Sequence, residues 1–171
     1  MAREIERKFL LANDDWRGLV ERSQRMAQGY LAGPIDGVAK SPRCSVRVRI
    51  AGDAATLNIK SANGGIDRAE YEVPMKLTDG EEILATLCST RVDKIRHYVN
   101  IDGHEFEIDE FLGDNAGLIV AELELPSIDA TFPRPAWLGI EVSLLRRYYN
   151  HDLAAHPYSQ WSTNEHEVSD A

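Results

Sequence analysis

From Glu4 onward, polar and apolar residues alternate with a period of two. In a strand, Glu4, Glu6 and Lys8 share one face, and Ile5, Phe9 and the stem of Arg7 share the other. The same alternation returns in Arg25 to Leu31, with Gln28 and Tyr30 on one side. Between Ser45 and Ile50 it is strict: Val46, Val48 and Ile50 one way, Arg47 and Arg49 the other. It returns in Thr56 to Lys60, Arg68 to Val73, Lys94 to Tyr98, Glu105 to Asp109 and Ala121 to Leu125. That makes about eight short strands, mostly joined by tight turns. Gly52-Asp53 and Asp102-Gly103 read as two-residue hairpins, and Asn63-Gly64-Gly65 turns the chain. The first two fix register: Arg49 should face Thr56, Val48 Leu57, Arg96 Asp109 and Tyr98 Glu107.

Helical spacing is sparse. Asn13-Asp14-Asp15 can cap a short helix carrying Trp16, Leu19 and Val20. Thr78 with Glu81 fits a capping box, opening a helix that presents Ile83, Leu84, Leu87 and Cys88 to the outside of the sheet. Residues 33–42 are rich in turn formers and read as a loop. Beyond Pro126 the alternation stops, Trp137 reads as an anchor, and Asn150 caps a short helix. The polar stretch 159–171 is expected to be a disordered tail after a single domain over 1–158. No fixed-period repeat divides the chain.

Composition adds the next constraint. The 171 residues are 43% hydrophobic and 27% charged, with a net charge of −9, which suits a globular chain and disfavours nucleic acid bound over the whole surface. No apolar run is long enough to cross a membrane, and Cys44 and Cys88 show no metal-ligand spacing, so reduced thiols and a cytoplasmic location are expected. The alternating polar positions are nearly all formal charges, whereas ordinary surfaces are only about a third charged. They are also sorted by sign: Arg47 with Arg49 and Lys94 with Arg96, against Glu107 with Asp109 and Glu122 with Glu124. Like charges so placed repel, unless a group of opposite sign sits between them. A dry interior is excluded, because burying each unpaired ion costs several kcal/mol. The charged face is therefore either the outside of a sandwich or the inside of a water-filled eight-stranded barrel.

Inside such a barrel the two signs imply two ligands. Rows of Arg and Lys suit phosphate oxygens. Clusters of Glu and Asp suit hard cations such as Mg²⁺ or Mn²⁺, and the scattered histidines suggest no zinc site. His97 is expected to pack or hydrogen-bond. Bases, carboxylates and a hard metal together point to phosphoryl transfer or phosphate hydrolysis.

With these residues in hand, the chain resembles the CYTH superfamily, the triphosphate tunnel metalloenzymes. Glu4-Ile5-Glu6-Arg7-Lys8 matches the N-terminal Glu-x-Glu-x-Lys signature. The likeness runs on through Gln28-Gly29-Tyr30-Leu31, Val46-Arg47-Val48-Arg49, Ile59-Lys60-Ser61, Arg68-x-Glu70-Tyr71-Glu72, Lys94-Ile95-Arg96, Glu107-Ile108-Asp109 and Glu122-Leu123-Glu124. It covers residues 1 to about 150. The resemblance implies an α+β fold: an eight-stranded antiparallel β-barrel tunnel with a charged interior and short helices outside. Carried over by position, Glu4, Glu6, Asp109, Glu122 and Glu124 resemble the metal-binding acids. Lys8, Arg47, Arg49, Lys60, Lys94 and Arg96 resemble the triphosphate-binding bases. Tyr30 and Lys94 match a pair that tunes catalysis, with Glu6 at the reacting centre. Arg147-Tyr148 matches a late Arg-Tyr element, although Leu145 stands where an acid often precedes it. Short bacterial members resemble inorganic triphosphatases, and others are class IV adenylate cyclases or thiamine triphosphatases. The implied partner is a small triphosphate, with no nucleic acid or membrane, and a homodimer is allowed. A polyphosphate-binding module without turnover is the remaining alternative, and the acidic set argues against it.

Overall fold

The first strand is the seam of the molecule. In the computed structural model, which describes residues 3–31, 44–61 and 66–168, β1 (Arg3–Leu11) pairs with three other strands. The others, in chain order, are β2 (Arg22–Leu31), β3 (Cys44–Ala51), β4 (Ala54–Ser61), β5 (Asp67–Met75), β6 (Cys88–Ile101), β7 (His104–Phe111), β8 (Ile119–Glu124) and β9 (Leu138–Glu141). All pairings are antiparallel, in the order β5-β4-β3-β2-β6-β7-β8-β1, and β1 pairs with β5 to close the ring. That is the expected eight-stranded barrel. The short ninth strand continues the edge of β1 past the end of β5, with Phe9 opposite Glu141 and Leu11 opposite Leu138.

Both hairpin registers follow from their turns. Asp102 and Gly103 have φ of 51° and 81°, the left-handed backbone that an Asp-Gly turn provides. Arg96 therefore faces Asp109, and Tyr98 faces Glu107. In the other hairpin Arg49 faces Thr56, and Val48 faces Leu57. The loop expected at 33–42 and the turn at Asn63-Gly64-Gly65 lie outside the described residues.

Charge faces in and apolar surface faces out. Phe9, Phe106, Ile108 and Leu123 project from the outer face and are buried with Trp16 and Trp137. The covering chain is the 3-10 turn Asp15–Leu19 and the stretch that leads to β9. Phe106 meets the Trp137 ring edge-on at 5.2 Å, so Trp137 is the anchor it was expected to be. His97 sits outside as well, with Nδ1 2.7 Å from Ser23 Oγ and its ring 5.2 Å from Trp16.

The helix α1 (Leu77–Thr86) lies across β3 and β4, close enough that a Cβ on Gly80 would meet Ala55 Cβ at 2.7 Å. Its start differs from the capping-box reading: Lys76 is the cap, and Thr78 lies inside the first turn. Leu84 is buried, but Leu87 is 64% exposed. The helix ends at Thr86, and β6 begins at Cys88, so helical spacing does not extend that far.

A second core closes one end of the barrel. One step beyond the charged positions, the inward rows turn apolar at Leu10, Val92, Phe111 and Val120, and these pack with Val142, Tyr148, Leu153 and Trp161. The stretch expected to be a disordered tail contributes to this core. Trp161 is 6% exposed, and α3 (Thr163–His166) is held by a capping box between Ser162 and Glu165. One tryptophan in a polar stretch supplies the apolar area that composition averages away.

Candidate active site

The barrel interior is a cavity of about 260 Å³ walled by charge. Its lining holds seven Lys or Arg and seven Glu, so the chain's net charge of −9 resides elsewhere. Each inward side chain is placed by strand parity. From β1 come Glu4, Glu6 and Lys8; from β3, Arg47 and Arg49; from β4, Lys60; from β6, Lys94 and Arg96; from β8, Glu122 and Glu124. Of the residues expected at the site, all but Asp109 line this cavity.

Asp109 shares the inward row of β7 with Glu107 and Phe111 but is covered by Lys94 and Arg96. It is 0% exposed and accepts from Arg96 Nε at 2.7 Å, Arg96 Nη2 at 2.6 Å, and Lys94 Nζ. Asp109, expected among the metal acids, differs from the others in not reaching the cavity lining. Its register partner is Arg96, and both of its oxygens are taken up by bases.

The other acids and bases interlock. Lys8 contacts Glu6 at 2.5 Å and also pairs with Glu122. Arg96 Nη2 donates to Glu122 at 2.6 Å. Lys60 Nζ donates to both Glu4 oxygens at 2.8 Å and reaches Glu70 at 3.3 Å. Arg68 lies 3.6 Å from Glu4 and 3.5 Å from Glu6. Burial raises the Glu4 carboxyl to about 7, helped by the neighbouring Glu6 charge and opposed by Lys60. Burial and Glu122 also push Glu6 upward, but Lys8, Lys60 and Arg68 outweigh them and hold it below the usual range. Glu122 is buried too, and Lys8, Lys94 and Arg96 hold it well below. Burial, reinforced by the Arg96 charge, lowers Lys94 to about 8.

Glu6 stands directly opposite Glu124 in the β1–β8 ladder. Like charges so paired destabilise a sheet unless a cation lies between them. The donor set is all oxygen, which fits a hard divalent cation. Among the described residues, no three His, Cys, Asp or Glu side chains converge at ligating distances. Glu4, Glu6 and Glu122 are instead each turned toward a base. The acids share one wall, and a cation would draw them together at the expense of these pairs.

Parity alone did not single out every lining residue. Arg68, Glu70, Glu72 and Glu107 lie on the same inward rows and share that signal. Tyr149, Asn150 and His151 carried none, because they enter from the C-terminal segment around α2 (Asn150–Ala155). The Tyr149 hydroxyl donates to the Ser143 carbonyl at 2.6 Å, and its ring faces Lys8 and Arg68 at 5.2 and 4.9 Å. His151 meets Tyr30 edge-on at 5.0 Å, and Gln28 Nε2 donates to the Tyr30 hydroxyl at 3.0 Å. Arg147 stacks near Tyr148 and Trp161 instead of lining the cavity, so the late Arg-Tyr element supports the second core.

The CYTH domain model matches residues 2–154. The chain belongs to the CYTH domain family. Relatives support this. An inorganic triphosphatase of Acetivibrio thermocellus is 38% identical over 162 residues, covering 94% of this chain and 99% of that protein. One of Nitrosomonas europaea is 36% identical over 154 residues, covering 88% and 96%. Among solved structures, an inorganic triphosphatase superposes with a TM-score of 0.65 at 34% identity, over 90% of this chain and 95% of that one. A Hippeastrum protein, named as an adenylyl cyclase with a dominant triphosphatase activity, reaches 0.59 at 15% identity over 72% and 80%, a likeness of fold alone.

Proposed function

We propose that the barrel binds a triphosphate and hydrolyses it, inorganic triphosphate foremost, to diphosphate and phosphate with Mg²⁺ or Mn²⁺. The observation that carries this reading is the wall of Lys8, Arg47, Arg49, Lys60, Lys94 and Arg96, converging with glutamates on the barrel cavity. The named activity of two relatives that match nearly end to end supports it.

Lys8, Arg47, Arg49, Lys60 and Arg96 bind the phosphate oxygens, and Asp109 keeps Lys94 and Arg96 aimed at them. Glu4, Glu6, Glu122 and Glu124 would hold the cation. The bound cation would supply charge neutralisation on the phosphates and a polarised water. Glu6 orients the attacking water, whose oxygen bonds to a terminal phosphorus. The bridging oxygen leaves with the diphosphate, and one proton passes to solvent. Lys94 and Tyr30 face the charge that develops on the leaving oxygen. The free thiols Cys44 and Cys88 support a reducing compartment, the cytoplasm. Among the described residues no helix is long and apolar enough to cross a membrane.

The test is phosphate release and cyclic AMP formation from tripolyphosphate, ATP and thiamine triphosphate, each with Mg²⁺ and with Mn²⁺. Fastest turnover is expected on tripolyphosphate, lost with chelator and reduced at least about a hundredfold in Lys94→Ala. Cyclic AMP as the main product, or metal-independent turnover, overturns the reading.

A further inference from the structure

The six bases assigned to phosphate leave one lining cation without a role, Arg68. It comes from the seam of the barrel, where its register partner across β1 and β5 is Glu4. One nitrogen, Nη2, stands between two carboxylates, 3.6 Å from Glu4 and 3.5 Å from Glu6. Both distances exceed the roughly 2.7–2.9 Å of a tight charge-assisted bond. The same acids are held closely by other bases, Glu4 by Lys60 at 2.8 Å and Glu6 by Lys8 at 2.5 Å. The Nε of Arg68 is buried without an acceptor, and among the described residues Glu4 and Glu6 are its only acid partners. The Tyr149 ring lies against the guanidinium at 4.9 Å, and the Tyr149 hydroxyl is anchored on the Ser143 carbonyl. Arg68 is thus a cation seated loosely between two acids.

We propose that Arg68 is an internal counter-cation, which neutralises Glu4 and Glu6 until a divalent cation displaces it, and which therefore weakens the hold of the site on that cation. This rests on the proposed function, in which Glu4 and Glu6 are metal ligands. A divalent cation bound to both acids takes the position between them and repels the guanidinium from it. Two long contacts resist that repulsion poorly. Lys60 competes for Glu4 as well, but it keeps Glu70 as a partner outside the metal set. Arg68 has no such second acid, and the cavity in front of it is where its nitrogens find new acceptors. When a triphosphate is bound, its oxygens supply them, to the unpartnered Nε above all. Metal binding thereby turns Arg68 from a partner of the acids into a seventh base for phosphate.

The test is the dissociation constant of Mn²⁺ alone, with no substrate, read from the electron paramagnetic resonance signal of free Mn²⁺. It is measured at pH 8, above the value of about 7 to which Glu4 is raised, so that both acids are ionised. Wild type is compared with Arg68→Gln, Arg47→Gln and Arg22→Gln. Arg47→Gln removes the same charge from the same cavity at a residue paired with Glu70, and Arg22→Gln removes it from the outer pair with Glu105. Arg68→Gln should bind Mn²⁺ at least about tenfold more tightly than wild type. Arg47→Gln should gain clearly less, and Arg22→Gln should match wild type. Tyr149→Leu removes the ring that seats the guanidinium and leaves both acids and the Arg68 charge in place, so it should tighten Mn²⁺ by about threefold. Unchanged or weaker binding by Arg68→Gln, or an equal gain in Arg47→Gln, overturns the displacement while the metal reading stands. If Arg68→Gln fails to fold, Tyr149→Leu decides, and unchanged affinity there overturns the displacement. A wild type and an Arg68→Gln variant that both bind no Mn²⁺ overturn the metal reading, and the counter-cation role with it.

Discussion

Asp109→Asn is the substitution that best separates a positioning acid from a metal ligand. The carboxylate is fully buried, and both oxygens are engaged by Lys94 and Arg96. Asparagine preserves the shape, removes the charge, and turns an amide NH₂ toward one of the cations. Breaking a buried pair from one side costs about 3–5 kcal/mol. Arg96 keeps Glu122 and Glu107 as partners, whereas Lys94 has no other hydrogen-bonded acid among the described residues, so the lower end applies, about 3 kcal/mol. For a chain of this size, each kcal/mol moves the melting temperature by roughly 2–4 °C, giving a fall of roughly 6–12 °C. The assay is thermal and urea unfolding in chelator, so that no cation contributes. A metal-ligating Asp109 would show itself in metal affinity: the variant would lose metal-induced stabilisation, which a positioning Asp109 leaves intact. A variant as stable as wild type in chelator, with lost metal affinity, refutes the positioning role.

Glu6→Gln should abolish most tripolyphosphate turnover. Because Lys8, Lys60 and Arg68 hold Glu6 below the usual carboxylate range, its charge stabilises the fold above that range, and the variant in chelator should lose about 1–3 kcal/mol. Wild-type turnover, or a gain of stability, refutes this. Glu4 behaves with the opposite sign: burial raises it to about 7 from the usual 4.5, so the folded chain holds its proton more tightly than the unfolded chain. Metal-free stability should therefore fall as pH rises between those values, and Glu4→Gln should flatten the slope of urea midpoints measured at pH 5, 6 and 7.5. An unaltered slope in the variant counts against it.

The strands, their registers and the inward rows were legible in the sequence because strand parity is local. An alternation of Val46, Arg47, Val48 and Arg49 has two faces wherever it folds, and an Asp-Gly turn fixes which residues oppose. Parity could not choose between the inside of a barrel and the outside of a sandwich. That was decided by closure, in which Glu4 meets Arg68 when β1 pairs with β5, a contact between chain segments far apart in sequence. Tertiary structure also decided which acids reach the cavity. Asp109 and Glu122 have the same spacing signal and both project inward between two cations, yet only Glu122 reaches the cavity lining. The ends of the barrel were hidden for the same reason. Tyr149, Asn150, His151 and Trp161 sit in short, aperiodic stretches, and only packing against Leu10, Val92, Phe111 and Val120 gives them a role. Periodicity reports which face a residue takes within its own element; what that face meets is set by the rest of the chain.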